Sequence, residues 1–178
     1  MIKIFDKDYQ GKTFETLGLC VLSDAISCEA KEEINGEYEL EMTYPITGRH
    51  FEDILPERIL VTKANAVDGE QAFRIYKISE ELEGKIVVSA AHISYDTANY
   101  PVKKFAGENT PELFLTAVKE NSTVPSSNIP FELSQELDSV EMIEGDNDKP
   151  RNMRSLLFGS EDSFVTKCNC ETAYDNYS

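Results

Sequence analysis

Between Asp24 and Pro45 the chain reads DAISCEAKEEINGEYELEMTYP, two alternating runs joined at Asn35-Gly36. No other stretch limits the possible folds so tightly. Asn-Gly supplies the two positive-φ residues of a type I′ turn, whose twist matches that of the flanking strands, so the stretch predicts a β-hairpin. In the second arm Tyr38, Leu40, Met42 and Tyr44 point to one side and Glu37, Glu39, Glu41 and Thr43 to the other. Glu29, Lys31 and Glu33 lie opposite them. Five carboxylates, Glu29, Glu33, Glu37, Glu39 and Glu41, therefore share the outer face with one lysine. Like charges facing each other across a strand pair cost roughly a few tenths of a kcal/mol each. Two readings of this face stand side by side: a solvated surface that keeps sheet edges from sticking, and an assembly surface for a basic partner.

Charge bounds what such a protein binds. Its 178 residues are enough to bury the core of one large or two small domains. They carry 33 acidic against 17 basic side chains, a net charge of −16. Nucleic-acid-binding surfaces neutralise phosphates with Lys and Arg, so this balance argues against specific nucleic-acid binding, and the same Coulomb repulsion disfavours an anionic membrane. No run approaches the roughly 18 apolar residues of a membrane span, and MIKIFDKDYQ lacks the apolar core of a signal peptide. The chain is expected to be made in the cytoplasm. Cys20 and Cys28 fall in strand-like runs as small hydrophobes, and only Cys168 and Cys170 are close in sequence.

Strands come first and helices later. Ile2–Phe5, Leu17–Leu22, the two hairpin arms, Arg58–Lys63, Gln71–Ser79 and Lys85–Ala91 read as strands. The second of these is apolar enough to be buried on both faces. Turns are expected at Pro45–Pro56, Asp68-Gly69 and Glu83-Gly84. Such regular spacing predicts an antiparallel barrel or sandwich. After Ala91 the pattern changes. Thr110-Pro111 opens a helix with Leu113, Phe114, Ala117 and Val118 as its buried stripe, ending near Asn121. Phe131–Leu133 and Val140–Ile143 are short strand candidates, and Glu144–Pro150 is an exposed turn. Arg151–Phe158 predicts a short helix ended by Gly159, Ser160 caps another containing Phe164 and Val165, and Glu171–Ser178 resembles the start of a strand.

Catalytic and metal chemistry find little to stand on. Cys168-Asn169-Cys170 is too tight for a zinc knuckle, whose second ligand pair is missing, and His50 and His92 are isolated in sequence, so neither a metal nor another cofactor is expected. A cysteine protease needs a thiol, a histidine and an orienting group; nothing local supports pairing Cys28 or Cys168 with His92. A histidine hydrogen-bonded at a strand end is the simpler role for His92. Adjacent carboxylates such as Glu161 and Asp162 carry no specific acid–base signal in so acidic a chain. No phosphate-binding glycine loop, HExxH or GxSxG appears.

Five segments taken in order resemble a known family. They are EEINGEYELEMTYP, the following Gly48 and Phe51, QAFRIYKI, AAHISYD and RSLLFGSEDSF. Together they are similar to tail proteins of phages and prophages of Gram-positive bacteria, called minor structural proteins, tail-associated lysins or prophage endopeptidase tail proteins. The resemblance runs from Ile2 to Tyr177. It implies an α+β, mainly β fold resembling the baseplate hub: a β-barrel-like domain over residues 1–100 and a mixed α/β part over 101–178. It also implies a homotrimer closing the tail tube at the virion tail tip, with the distal tail protein and the tape-measure protein as partners. Wall-peptidase activity in the family resides in C-terminal extensions, so this chain is not expected to be an enzyme. The alternatives are a cell-wall endopeptidase and a carbohydrate- or protein-binding module unrelated to phage.

One place departs from the family pattern. Where relatives resemble Gly-Gly-Glu, this chain has Cys168-Asn169-Cys170-Glu171, and non-glycine residues resist a positive-φ turn. Relatives also continue beyond Tyr177. The chain is therefore expected to be a truncated product or a fragment, with Glu171–Ser178 mobile or paired with another chain. If the full-length protein forms a trimer around a channel, acidic residues lining it would repel passing DNA phosphates.

Overall fold

A computed structural model describes residues 1–9, 13–64, 69–81, 83–105, 110–125, 150–159, 161–173 and 176. The fold is α+β and mainly β. Seven strands form one curled antiparallel sheet, a half-barrel: β1 (Lys3–Phe5), β2 (Cys20–Val21), β3 (Ser27–Glu32), β4 (Tyr38–Pro45), β5 (Ile59–Lys63), β6 (Glu70–Glu81) and β7 (Lys85–His92). Their order is β2-β1-β5-β6-β7-β4-β3, which leaves β2 and β3 at the two edges. Each falls on a run expected to be strand, with β2 inside the apolar run Leu17–Leu22 and β6 and β7 extending one or two residues past the expected ends.

Side-chain period explains the layering. Along β4, Tyr38, Leu40, Met42 and Tyr44 are buried, whereas Glu39, Thr43 and Pro45 are half-buried and Glu41 is exposed. Strand β7 alternates in the same way, with Ile86, Val88 and Ala90 inward. These residues join Ile4, Leu22, Leu60, Phe73 and Ile75 in one apolar core. Each such large side chain contributes about 1.5–3 kcal/mol on burial. Strand β5 is covered on both sides, because Ile59 and Val61 enter a second cluster with Phe5, Phe14 and Ala72 while Leu60 faces the first. Strand β6 carries a bulge between Ile75 and Lys77. Lys3 is buried, and its ammonium donates to the Phe14 carbonyl at 2.7 Å and to Glu70 at 2.5 Å.

Two expectations about this sheet need correction. The Asn35-Gly36 turn is not type I′. Register pairs Glu32 with Tyr38 and the Glu33 N–H donates to the Glu37 carbonyl at 2.7 Å, leaving the three-residue loop Ile34–Gly36. Only Asn35 takes a positive φ, 56°. A two-residue turn would shift register by one and reverse which side chains share a face. The observed register sets Glu29, Lys31 and Glu33 against Glu41, Glu39 and Glu37. The facing of the acidic residues is thus as read, through a different turn. Leu17–Leu22 is not a strand buried on both faces. Cys20 and Val21 pair with β1 at the sheet edge, Gly18 makes an isolated bridge to Ile4, and Leu17 and Leu19 are exposed.

Gly48 shows why its position takes glycine. A Cβ there would lie 2.6 Å from the Tyr44 ring and 3.0 Å from the Pro45 carbonyl. The Gly48 N–H donates to that same carbonyl at 2.9 Å, closing the turn after β4. A 3-10 turn, Phe51–Asp53, follows, with His50 before it at φ 63°.

The chain divides into two compact units: 1–33 with 37–93 and 174–178, and 34–36 with 94–173. The sequence-based division stood at residue 100. In the second unit β8 (Pro101–Val102) pairs with β9 (Arg151–Asn152), and α1 (Pro111–Glu120), α2 (Met153–Leu157) and α3 (Phe164–Cys168) share a core. Thr110 caps α1 through its hydroxyl, which accepts from the Leu113 N–H at 3.2 Å, and Asn121 ends it. The buried stripe is Pro111, Phe114, Leu115 and Val118 with Ala117; Leu113, expected inside, is exposed. A stripe at i, i+3, i+4 and i+7 from Pro111 leaves Leu113 on the solvent side.

Arg151 and Asn152 are strand rather than helix, and Asn152 caps α2 by accepting from the Ser155 N–H at 2.8 Å. Phe164 and Val165 are buried as expected, but Ser163 precedes their helix; the proposed cap Ser160 lies outside the described residues. The strand candidates at 131–133 and 140–143, and residues 144–149, also lie outside them. Asn169 ends α3 at φ 47°, so here asparagine takes the left-handed turn that most often falls to glycine. Residues 171–173 are not strand. The Thr172 N–H instead donates to Asn35 Oδ1 at 3.0 Å, and the Asn35 amide donates to the Cys170 carbonyl at 2.8 Å, both within the second unit. In the first unit Asn176 bridges β6, donating to the Glu70 carbonyl and accepting from the Ala72 N–H, each at 2.8 Å.

Candidate functional site

Two places in the first unit gather chemically distinctive residues. One is the outer face of the β3–β4 hairpin. Glu29 and Glu41 stand directly opposite each other, as do Lys31 and Glu39. Glu29, Glu33, Glu37 and Glu41 are exposed and Glu39 is half-buried. The Lys31 ammonium lies 2.6 Å from Glu33 and 3.8 Å from Glu37, and its hydrogen bond to Glu33 is the chief reason its pKa is raised. Such exposed pairs add little stability. Glu39 accepts from the Tyr76 hydroxyl, 3.2 Å away. Tyr76 is itself exposed beside the β6 bulge. The glutamates therefore border one edge of the sheet, with Glu29 on the edge strand β3, Glu33 and Glu37 beside the loop, and Glu39 and Glu41 on the adjacent strand β4.

The other place is formed by Cys20, His50 and Asp53. Strand β2 supplies the thiol and the 3-10 turn supplies the other two. Asp53 Oδ2 lies 3.7 Å from Cys20 Sγ and 3.3 Å from His50 Nδ1, and the three donor atoms are all within 4.8 Å of one another. Arg58 holds the carboxylate from the far side, with Nη1 2.9 Å from Asp53 Oδ1 and 2.6 Å from its carbonyl. That guanidinium is the main reason the Asp53 carboxyl sits below the usual carboxylate range. Burial, then the nearby Asp53 carboxylate, push the Cys20 thiol up to about 11. A thiol so raised is un-ionised and a poor nucleophile, and the carboxylate is bonded to both partners instead of orienting a histidine toward a sulfur. The trio therefore lacks the relay of a cysteine protease.

His50 reads as isolated in the sequence, and the fold places it otherwise. The His50-x-x-Asp53 spacing across one turn was a usable signal for two members of the cluster. Cys20, on a separate strand, left no local signal at all. His92 is buried at the end of β7, stacked on Tyr38 at 4.8 Å between ring centroids, with Nε2 3.1 Å from Gln71 Oε1. It is a core histidine. In the second unit Cys168 is pushed up to about 12 by burial and by its neighbour Cys170, and both thiols are free. Arg154 lies 3.5 Å over the Tyr95 ring.

No family model matches the chain, and no curated protein matches it in sequence. Among solved structures it is similar to the crystal structure of prophage tail protein gp18 from Listeria monocytogenes EGD-e, with a TM-score of 0.71 at 18% identity. That likeness covers 99% of this chain and 48% of the other. The chain thus spans about half the length of the solved protein it matches. At this identity the likeness establishes the fold. Among the described residues, no helix is long and apolar enough to cross a membrane.

Proposed function

We propose that this chain is a structural component of a phage or prophage tail, forming part of the hub at the tail tip. The observation that carries the reading is the likeness of fold over 99% of the chain to a prophage tail protein. The ordered family segments of the sequence support it independently. In this reading the protein assembles as a homotrimer, contacts the distal tail and tape-measure proteins, and works without a catalytic centre. The carboxylates of Glu29, Glu33, Glu37, Glu39 and Glu41 form its assembly or channel-lining surface. Like charge there would repel DNA passing through the tube.

The test is co-expression with the distal tail protein of the same phage, followed by size exclusion with light scattering and electron microscopy of the complex. A ring-shaped complex with three copies of the chain is expected. Reversing the five glutamates to lysine abolishes it while leaving the circular dichroism of the sheet unchanged. A folded protein that never joins the distal tail protein overturns the reading. Incubation with peptidoglycan releases no new amines; release would favour the wall-endopeptidase alternative.

A further inference from the structure

We propose that Cys20, His50 and Asp53 form a binding site for a borderline-soft divalent cation, with Zn²⁺ as the best fit. Among the described residues this is a group of three different metal-ligating side chains whose donor atoms converge. Zinc bonds of about 2.3 Å to sulfur, 2.0–2.1 Å to nitrogen and 2.0–2.2 Å to oxygen, arranged tetrahedrally, set donor atoms roughly 3.3–3.6 Å apart. The observed separations from Asp53 Oδ2 are 3.3 Å to His50 Nδ1 and 3.7 Å to Cys20 Sγ. Shifts of a few tenths of an ångström about Asp53, and closure of the sulfur–nitrogen separation from within 4.8 Å to about 3.6 Å by turning the exposed His50 ring, complete three corners. Water takes the fourth.

The surroundings hold the donors in place. Cys20 is fixed by pairing with Ile4 in β1, and Asp53 by the two Arg58 hydrogen bonds, which leave Oδ2 directed at the other two donors. An outer-shell partner on a ligating carboxylate is a usual part of metal sites. His50 is exposed and gives a path from solvent. Arg58 is a cation close to the site and opposes binding, whereas the Glu52 carboxylate, near enough to act on Cys20, favours it. On binding, sulfur and imidazole nitrogen each donate a lone pair to the metal, and the thiol proton leaves to solvent. No electron is transferred. Sulfur, nitrogen and oxygen together select zinc or cobalt over the hard cations calcium and magnesium. Bound metal would tie the short edge strand β2 to the turn after β4, closing a long loop of chain.

The simpler alternative is a hydrogen-bonded trio in which Asp53 accepts from Cys20 and His50 and no ion enters. Cobalt titration of the full chain, stripped with chelator and kept reduced, separates the two. One Co²⁺ per chain is expected, with a thiolate-to-cobalt charge-transfer band and a tetrahedral visible spectrum, displaced by Zn²⁺. Cys20→Ser removes the band, and exposed His50→Ala weakens binding by at least about 100-fold, more than the loss typical of an outer-shell partner. The double variant Cys168→Ser with Cys170→Ser keeps both band and affinity. The proposal is overturned if the wild-type protein shows no thiolate band, or if the band survives Cys20→Ser and vanishes in the double variant. Should Cys20→Ser fail to fold, the His50→Ala titration decides.

Discussion

The two compact units are held together differently. In the first, β4 and β7 bury alternate residues, so burial repeats along each strand and its period is visible locally. In the second, helices of 10, 5 and 5 residues contribute a few side chains each to one cluster, drawn from positions between Val102 and Cys168. Helices that short are unstable alone and exist because of that shared core. A sheet advertises itself in sequence, whereas a core built from scattered short pieces does so only where a cap or a proline marks an end.

Core truncation should give the largest effect. Phe73 is fully buried against Tyr38 and His92, and Phe73→Ala is expected to cost about 3–5 kcal/mol in denaturant unfolding. Phe114→Ala, between Phe105 and Phe164 in the other unit, should raise amide exchange throughout α1–α3 while β4 and β7 stay protected. Equal loss of protection in β4 and β7 would erase the distinction between the units.

Gly48→Ala tests close packing in the first unit. The added methyl meets the Tyr44 ring and the Pro45 carbonyl, and a loss of about 1–3 kcal/mol is expected from the unfolding midpoint. Asn35 probes the second unit, where its amide bonds Cys170 and Thr172. Asn35→Ala should lose about 1–2 kcal/mol. Asn35→Gly keeps the left-handed backbone without the amide; if it matches wild type, the side-chain bonds do not select the three-residue loop.

The smallest effect is alkaline, and it compares a thiol from each unit. Burial holds Cys28 up to about 11, and burial with Cys170 and Glu112 holds Cys168 up to about 12, against an ordinary 9.0. Below that ordinary value both states are protonated and stability is unaffected. Above it the unfolded chain ionises first, so stability falls as pH rises toward 11 and 12. Cys28→Ala and Cys168→Ala should each flatten the decline in melting temperature over that range, Cys168→Ala over the wider span.

Legibility followed the same division. Tyr38, Leu40, Met42 and Tyr44 were readable as a buried stripe, and Thr110 as a cap, because each rests on neighbours within a few residues. Leu113 was misplaced because helical periodicity does not say which flank of the stripe meets the core. Leu17 and Leu19 were misplaced because an apolar run carries no mark of lying at a sheet edge. The acidic residues of the hairpin were legible as a surface, but Cys20 was not legible as the neighbour of His50 and Asp53.

Sequence alone determined that this protein is built around antiparallel strands, where they run, and that five glutamates share one face of a hairpin. Those properties follow from a two-residue side-chain period. The tertiary structure alone decided the three-residue loop at Asn35, the sheet order that makes β2 an edge, and the meeting of Cys20, His50 and Asp53. Each depends on contacts between residues far apart in the chain. The energy of such contacts is written in the packing of the whole unit and not in any short stretch of sequence.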